Sequence, residues 1–436
     1  MTALPPRNFD SVKWLSLTAA FLGWMFDGLE MGLFPLVARP AMMELMGPDA
    51  AARFGPWMAA IIALFLVGAA LGGVVFGWLG DRIGRTRAMI WSVLVYSAFS
   101  GLCAFATAPW QIAGLRFLSA LGMGGEWALG VALVSEVFPN KSRPFLAGLI
   151  GAAANVGFLF IALLSLGLNA VIVGVGGILQ TVLPESWAHA LLRNGAWRLL
   201  FVLAAAPALL TLFIRMFVPE SELWKHATAG GKFKVGISEI FRHGKVRNTI
   251  LAGLLAAVPL LGTWGSVQWI PSWGHKLSGG AAGVRETLQI YAALGAILFT
   301  IVMALAAQWL NRRHTYFAAT LLALAACAVL FRLPMQYGGE LLLWTFLVGG
   351  LTSSFYGWLP LYLPELFPTR LRATGSGFAF NAGRVLAAAG TLVSGQLLTL
   401  FNEDYARMCA AISLVYLLGL VLIWFAPETK GEPLPT

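Results

Sequence analysis

The chain has 436 residues, of which 59% are hydrophobic and 11% charged, whereas a soluble domain carries about 25% charged residues. With a mean hydropathy of +0.79 it reads as a protein that crosses a membrane many times, so soluble-domain length rules do not apply. The formal charge of +10 then reads as a sorting signal in loops beside a lipid bilayer, not as an affinity for nucleic acid.

The apolar runs predict twelve transmembrane helices, near 14–37, 57–79, 87–108, 110–135, 145–168, 197–217, 249–271, 286–307, 316–334, 341–363, 373–400 and 405–426. The first run is too long for a cleavable signal peptide and carries acids at its centre. There, Gly23 to Phe34 holds Asp27 and Glu30 three residues apart. A charged acid at bilayer depth costs at least ~2.5 kcal/mol, tolerable only if it faces a polar cavity, pairs with a cation or binds a proton. An apolar piece at 169–183 either extends the fifth helix or lies at the interface.

Basic residues gather after even-numbered spans: Arg82, Arg85 and Arg87; Lys141 and Arg143; Lys225, Lys232, Lys234, Arg242, Lys245 and Arg247; Arg312 and Arg313; Arg370 and Arg372. That bias predicts cytoplasmic N and C termini. The longest hydrophilic connection divides the chain into 1–218, a cytoplasmic linker 219–248, and 249–436. The parts repeat. Glu136-Val137-Phe138-Pro139 with Arg143 and Gly148 matches Glu365-Leu366-Phe367-Pro368 with Arg372 and Gly377 at a constant offset of 229. Pro219-Glu220 after the sixth span is echoed by Pro427-Glu428 after the twelfth. Parallel duplicated halves imply a pseudo-two-fold axis along the membrane normal and a site between them at mid-depth.

Cys103, Cys327 and Cys409 are scattered in apolar runs and form neither a disulfide framework nor a metal cluster. They read as small buried hydrophobes. All five histidines fall in predicted loops. There is no H-E-x-x-H, G-x-S-x-G or phosphate-binding loop, so no enzyme activity, cofactor or metal is expected. A non-transporting sensor is disfavoured by short ends beyond the spans.

The second and third spans meet at Gly77-x3-Asp81-Arg82-x-Gly84-Arg85. Glycine permits the turn, Asp81 can face a helix N-terminus, and the arginines can reach acids on neighbouring helices. With this motif the chain resembles the major facilitator superfamily. In the second half Asn311 stands where the first has Asp81, before Arg312 and Arg313. The fourth span, Arg116-x5-Gly122-x-Gly124-Gly125-Glu126, is similar to the metabolite:proton symporter branch, which carries aromatic acids, sialate and short monocarboxylates. The Asp27-Gly28-x-Glu30 pattern, Pro219-Glu220-Ser221 and Asn381-Ala382-Gly383-Arg384 share that likeness. The resemblance implies an all-α membrane protein of twelve transmembrane helices in two pseudo-symmetric six-helix halves, the major facilitator fold. It also implies a conformational latch at Gly77, Asp81, Arg82 and Arg85, to which the repeated Glu136, Arg143, Glu365 and Arg372 are assigned.

Depth counting sets Glu30 and Arg116 at the same level, about seven residues or roughly 10 Å from the outer ends, with Asp27 one turn deeper and Arg384 near mid-depth. Arg116 is expected to pair with Glu30 or Asp27. Asp27, Glu30 and Glu126 are the candidate proton sites. Arg116 and Arg384 are the cations for a carboxylate substrate. Asn155, Asn381, Gln268 and Gln396 are polar groups within spans, and Tyr356 is the aromatic candidate for substrate contact beside Phe355 and Trp358. Trp269 and Trp273 are expected at the outer interface. Gly68, Gly72, Gly73 and Gly77, with Gly148, Gly151, Gly375 and Gly377, are expected to give close helix contacts. The sum is a secondary transporter in the cell (inner) membrane, working as a monomer by alternating access. Its expected partners are a small organic anion, such as a monocarboxylate or aromatic acid, and H+. The rival readings are a proton-coupled carrier of a neutral sugar or polyol, and an efflux carrier.

Overall fold

The computed structural model describes residues 9–47, 50–138, 142–228, 236–242 and 245–435. Pro139, Lys141, Lys232, Lys234 and His243 lie outside the described residues. Among the described residues every regular element is helical. In lipid no water can satisfy a backbone N–H or C=O, so runs this apolar must bond to themselves as helices.

The spanning helices are α1 (Phe9–Met46), α2 (Ala50–Ile83), α3 (Arg85–Leu102), α4 (Pro109–Val137), α5 (Arg143–Leu166), α6 (Trp197–Leu203 with Ala208–Phe217), α7 (Lys245–Gly265), α8 (Val284–Trp309), α9 (Arg312–Leu330), α10 (Gly339–Ser353 with Phe355–Glu365), α11 (Arg372–Leu400) and α12 (Tyr405–Ser413 with Val415–Leu422). Among the described residues, eight are each long and apolar enough to cross a bilayer, and α1 does so as a pair bent by 48° after Phe34. The other three are broken or polar. Residues 204–207 interrupt α6, and Ser354 interrupts α10, which also contains Pro360 and Pro364. α11 buries Arg372, Asn381 and Arg384. The 169–183 piece is a separate helix, Leu168–Val182, set off from α5 at Gly167 and followed by Glu185–Leu192.

The start of α1 and the chain after α12 lie at one end of the bundle, here the terminal end. Trp14 touches Phe138 there, and Arg247 Nη2 donates to Phe425 O. The halves meet where α5 packs on α8 and α11 packs on α2. The 229-residue offset exchanges these two contacts, as a pseudo-two-fold axis requires.

Glycine sets how closely the helices approach. A Cβ at Gly72 would lie 1.9 Å from Leu121 O, and one at Gly124 would lie 1.9 Å from Ala69 O, so α2 and α4 touch backbone to backbone. The α2 stripe serves two faces. Gly68 and Gly72 meet α4, whereas a Cβ at Gly73 would lie 1.7 Å from Asn381 Nδ2 and one at Gly77 2.7 Å from Ala373 O. Its other face is thus the seam with α11. Gly151 is equivalent on α5, 1.9 Å from Tyr356 O by the same measure. Gly124→Val should therefore lower the thermal midpoint of purified protein, by an overpacking penalty of about 1–3 kcal/mol. Gly114→Ala, which meets nothing within 4 Å, should hold or raise it. Thermal unfolding of both variants in detergent checks the contrast.

Candidate functional site

The turn from α2 to α3 is made by Gly84 at φ 107°. A Cβ there would lie 2.1 Å from Glu220 Oε2, so only glycine fits. Glu220 accepts from the backbone N–H of Arg85 at 2.8 Å and of Thr86 at 3.2 Å, capping α3. Arg85 turns inward and donates to Asp81 Oδ1 at 2.6 Å, Gly80 O at 2.8 Å and Glu136 Oε1 at 2.9 Å. Arg372, opening α11, donates to the same Glu136 oxygen at 3.0 Å. Asp81 accepts from Thr374 N at 2.7 Å, Thr374 Oγ1 at 2.5 Å and Ala373 N at 3.2 Å. It therefore caps α11 from the opposite half. The four ionised side chains are buried, and each finds opposite charge and hydrogen bonds. That is the condition for charge to persist out of water.

The second half repeats this turn. Arg312 holds Glu365 at 2.9 and 2.7 Å and donates to Ala307 O at 2.8 Å. Glu428 accepts from the N–H groups of Arg312 and Arg313. These contacts match Arg312 to Arg85, Glu365 to Glu136, Glu428 to Glu220 and Ala307 to Gly80. The expected pairing of Asn311 with Asp81 is corrected: Gln308 occupies the Asp81 position. Asn311 stands at the Gly84 position and caps α9 through His314 N at 2.9 Å. Glu428 lies outside the spans. Desolvation tends to raise its carboxyl, but the N–H groups of Arg312, Arg313 and Lys430 hold it below the ordinary carboxylate value. Glu220, more enclosed, is pushed up by desolvation.

Of the residues assigned to the latch, Arg82 points away from it and Arg143 stands beside it without an ion pair among the described residues. Arg82 is exposed and stacks over the Trp78 ring at 5.2 Å. Arg143 is the repeat partner of Arg372. Its Nε donates to Ser135 O at 3.0 Å as that of Arg372 does to Pro364 O at 3.4 Å. Among the described residues it makes no ion pair within 4 Å, with Glu365 or any other acid.

Inside the first half, Arg116 bonds Glu30, not Asp27. Ser100 Oγ donates to Glu30 at 2.6 Å, and the guanidinium lies over the Phe65 ring at 4.4 Å and the Phe34 ring at 4.8 Å. Asp27 and Glu126 are also buried, yet no carboxyl oxygen of either has a hydrogen-bond partner among the described residues. Ser92 beside Glu126 gives its proton to Gly122 O at 2.6 Å. The Glu126 carboxyl lies on Gly23, where a Cβ would sit 1.9 Å from Oε1. The charges that act on Asp27 are Glu126, Arg384 and Glu30.

Between the halves a cavity of about 770 Å³, counting its open mouth, runs from mid-depth towards the end away from the termini. Arg384, Trp24, Phe380 and Tyr356 line its deep part, and Gln268 and Gln289 lie towards the mouth. Asn155 faces the same space. Trp127 and Phe380 stack at 4.1 Å between centroids, with Trp24 edge-on to Phe380 at 6.1 Å. This aromatic floor joins α1 and α4 to α11 and separates the cavity from the charge cluster. Arg384 lies over the Phe380 ring at 5.0 Å and the Trp24 ring at 5.7 Å. It donates to Asn381 Oδ1 at 3.2 Å, and among the described residues it forms no ion pair within 4 Å.

The family model described as Major Facilitator Superfamily matches residues 15–391. The chain belongs to the major facilitator superfamily. It is a multi-pass membrane transporter and not an enzyme. Among its relatives, the probable 4-methylmuconolactone transporter of Cupriavidus pinatubonensis is 28% identical, covering 95% of this chain and 90% of that one. The cis,cis-muconate transport protein of Acinetobacter baylyi is 27% identical over 95% and 94%. The solved proton:xylose symporter XylE, bound to 6-bromo-6-deoxy-D-glucose, has a TM-score of 0.77 at 17% identity, covering 98% of both chains. At that identity the likeness speaks for the twelve-helix fold alone.

In this facilitator the cavity gathers Arg384, Asn155, Gln268 and Tyr356, as expected from sequence, but not Arg116 or Asn381. Arg116 is occupied by Glu30 and two rings. Asn381 donates to Gly377 O at 2.8 Å and supports Arg384 from behind. Phe355 and Trp358 are fully buried around Tyr316, and Trp273 packs on Phe331 inside the bundle, not at the interface. The sequence reading missed Trp24, Phe380 and Gln289 as lining residues, and Glu220 and Glu428 as caps. Trp24 and Phe380 each stand within one turn of a candidate charge, a signal that was available.

Removing one partner of a buried ion pair costs about 3–5 kcal/mol, because the other charge is stranded. Glu136→Gln should lower the thermal midpoint accordingly, while Arg82→Gln should leave it within experimental scatter. Unfolding in detergent distinguishes the two.

Proposed function

We propose that this transporter takes up a small organic anion, a monocarboxylate or aromatic acid, together with H+, across the cell (inner) membrane. The observation that carries the reading is Arg384: a buried guanidinium at the cavity floor in contact with rings and an amide, with Asp27 acting on it from a distance but, among the described residues, no carboxylate within 4 Å. A buried cation with no acid in contact is costly, and a substrate carboxylate can supply that contact bidentately. The Trp24 and Phe380 faces beside it suit an apolar or aromatic body. Relatives named for muconate and methylmuconolactone transport support an organic acid.

The proton sites in this reading are Asp27 and Glu126, buried without partners, whereas Glu30 is held by Arg116. A proton on one acid and an anion on Arg384 move as a neutral pair. Alternating access follows from rocking of 1–218 against 249–436, tethered by the linker 219–248. The basic loops support a cytoplasmic terminal end. The cluster of Asp81, Arg85, Glu136 and Arg372, closed on the backbone at Gly77, acts as its latch.

The test is uptake by reconstituted vesicles of labelled aromatic acids, monocarboxylates and sugars, with and without an imposed pH gradient. Acids should accumulate with the gradient and compete with one another. Arg384→Lys should raise the apparent KM for the acid about tenfold, the scale of one lost charged contact. Asp27→Asn and Glu126→Gln should lose gradient-driven uptake while acid exchange at equal pH persists. Competition by sugars alone would replace the anion by a neutral sugar or polyol, and transport only outwards would make the protein an efflux carrier.

A further inference from the structure

The chain after α12 does not leave the bundle. Glu428 caps α9, Thr429 Oγ1 donates to Glu365 Oε2 at 2.5 Å, and Lys430 Nζ donates to Trp309 O at 2.8 Å. Gly431, at φ 85°, then turns the backbone. Beyond it, half-buried Leu434 lines a pocket shared by both halves, with Val131 and Val134 of α4, Ala147 and Ile150 of α5, and Leu361 and Pro364 of α10 on its other walls. The next carbonyl, Pro435 O, accepts from Thr369 N at 3.0 Å, Arg372 Nη2 at 3.0 Å and Thr369 Oγ1 at 3.3 Å. Arg372 is therefore shared between Glu136 of the first half and this segment.

We infer that residues 429–435 are a strap that holds the terminal end shut by setting Leu434 at the pocket on the seam between the halves. The asymmetry of the latch supports it. On one side of the axis, Arg372 crosses to Glu136. On the other, Arg143 makes no corresponding ion pair among the described residues, and Glu365 is met by Thr429 of the strap instead. Leu434 lies in the same pocket as Arg143. The strap is tied to the second half through Pro435 O and brings Leu434 to the seam on the side where the duplicated charge pair is not made. A leucine that faces α4, α5 and α10 across one pocket loses that setting when those helices part. The segment is a releasable element of the terminal gate.

The inference rests on the reading that the terminal end opens in turn with the other, but its test needs no transported solute. A single reporter, Ala147→Cys in the strap pocket, is labelled with a water-soluble maleimide in the purified full-length protein. A second, Gln289→Cys, reports the mouth at the other end. The native Cys103, Cys327 and Cys409 are fully buried and stay silent. Cutting the chain after Glu432, or Leu434→Asp, should speed labelling at Ala147→Cys about tenfold, the factor expected for one lost leucine contact. Labelling at Gln289→Cys should slow. Leu434→Ala, too mild to unfold the bundle, should move both rates the same ways by a smaller factor. An unchanged rate at Ala147→Cys would overturn the inference. Faster labelling at both positions would also overturn it, since the segment would then be a staple of the fold. If no acid is taken up by vesicles but the two rates move oppositely, the proposed substrate fails and the strap stands.

Discussion

The structure depends on charge that is buried across a seam. Glu136 receives a guanidinium from each half, Arg85 and Arg372, while Asp81 in the first half caps the helix that Arg372 begins. None of these groups is tolerable in an apolar bundle alone; Arg85 balances Asp81 and Glu136 inside the first half, whereas Arg372 has its acid only while the halves are together. Separating the halves at this end would leave Arg85 with Asp81 and Glu136 inside the first half, but it would strand the Arg372 guanidinium and uncap α11 unless water entered with the opening. The contact is therefore strong when dry and weak when wet, which is how a gate must differ from a core. The glycines of α2 make the closed state possible, because Gly73 and Gly77 let α11 approach to backbone distance where the charges meet.

How much of this was legible depended on whether a feature is encoded locally. Gly77, Asp81, Gly84 and Arg85 announce a tight, charged turn, and the constant 229 offset between Glu136 and Glu365 announces a duplication. Depth counting along two helices placed Arg116 level with Glu30, and they pair. What failed was whatever needed one helix to be set against another. One offset cannot align the whole repeat, because the turn that carries Arg85 and Arg312 differs by 227 positions while the motif differs by 229. Matching by residue type then put Asn311 in place of Asp81, where contacts put Gln308. Arg82 looked equal to Arg85 in sequence, but one residue of helical rotation sends it to the surface. Asn381 and Arg384 share a helical face one turn apart, yet only the lateral position of α2 decides that one is covered and the other lines a cavity.

Glu30 and Asp27 are three residues apart on α1 and differ in every respect that matters for chemistry. Glu30 has Arg116 and Ser100, so its negative charge is anchored. Asp27 has neither, and its neighbour Glu126 is another carboxyl without a partner. Two facing acids and one nearby guanidinium at Arg384 form a set that cannot satisfy itself. Two ionised carboxyls on one cation leave a net negative charge, while one protonated carboxyl restores neutrality. Adding an anion at Arg384 then calls for a further proton. In the proposed reading, the arithmetic of charge in a low-dielectric space ties occupancy of the cavity to protonation of the acids behind its floor, without any direct contact between solute and proton.

The aromatic floor makes that coupling directional. Trp24 belongs to the helix that carries Asp27, Trp127 follows Glu126, and Phe380 lies one turn before Arg384. Each ring is thus fixed to a charged residue of the set, and the three rings meet at the seam between the halves. Under the proposed rocking of the halves, separating α1 and α4 from α11 at the terminal end pulls Trp127 off Phe380 and exposes the acids and Arg384 to the same water. With the end closed, the rings restore a dry layer between the cavity and the charge cluster. In that reading the movement that opens the floor also parts Glu136 from Arg372, so floor and latch open together because α4 and α11 carry both.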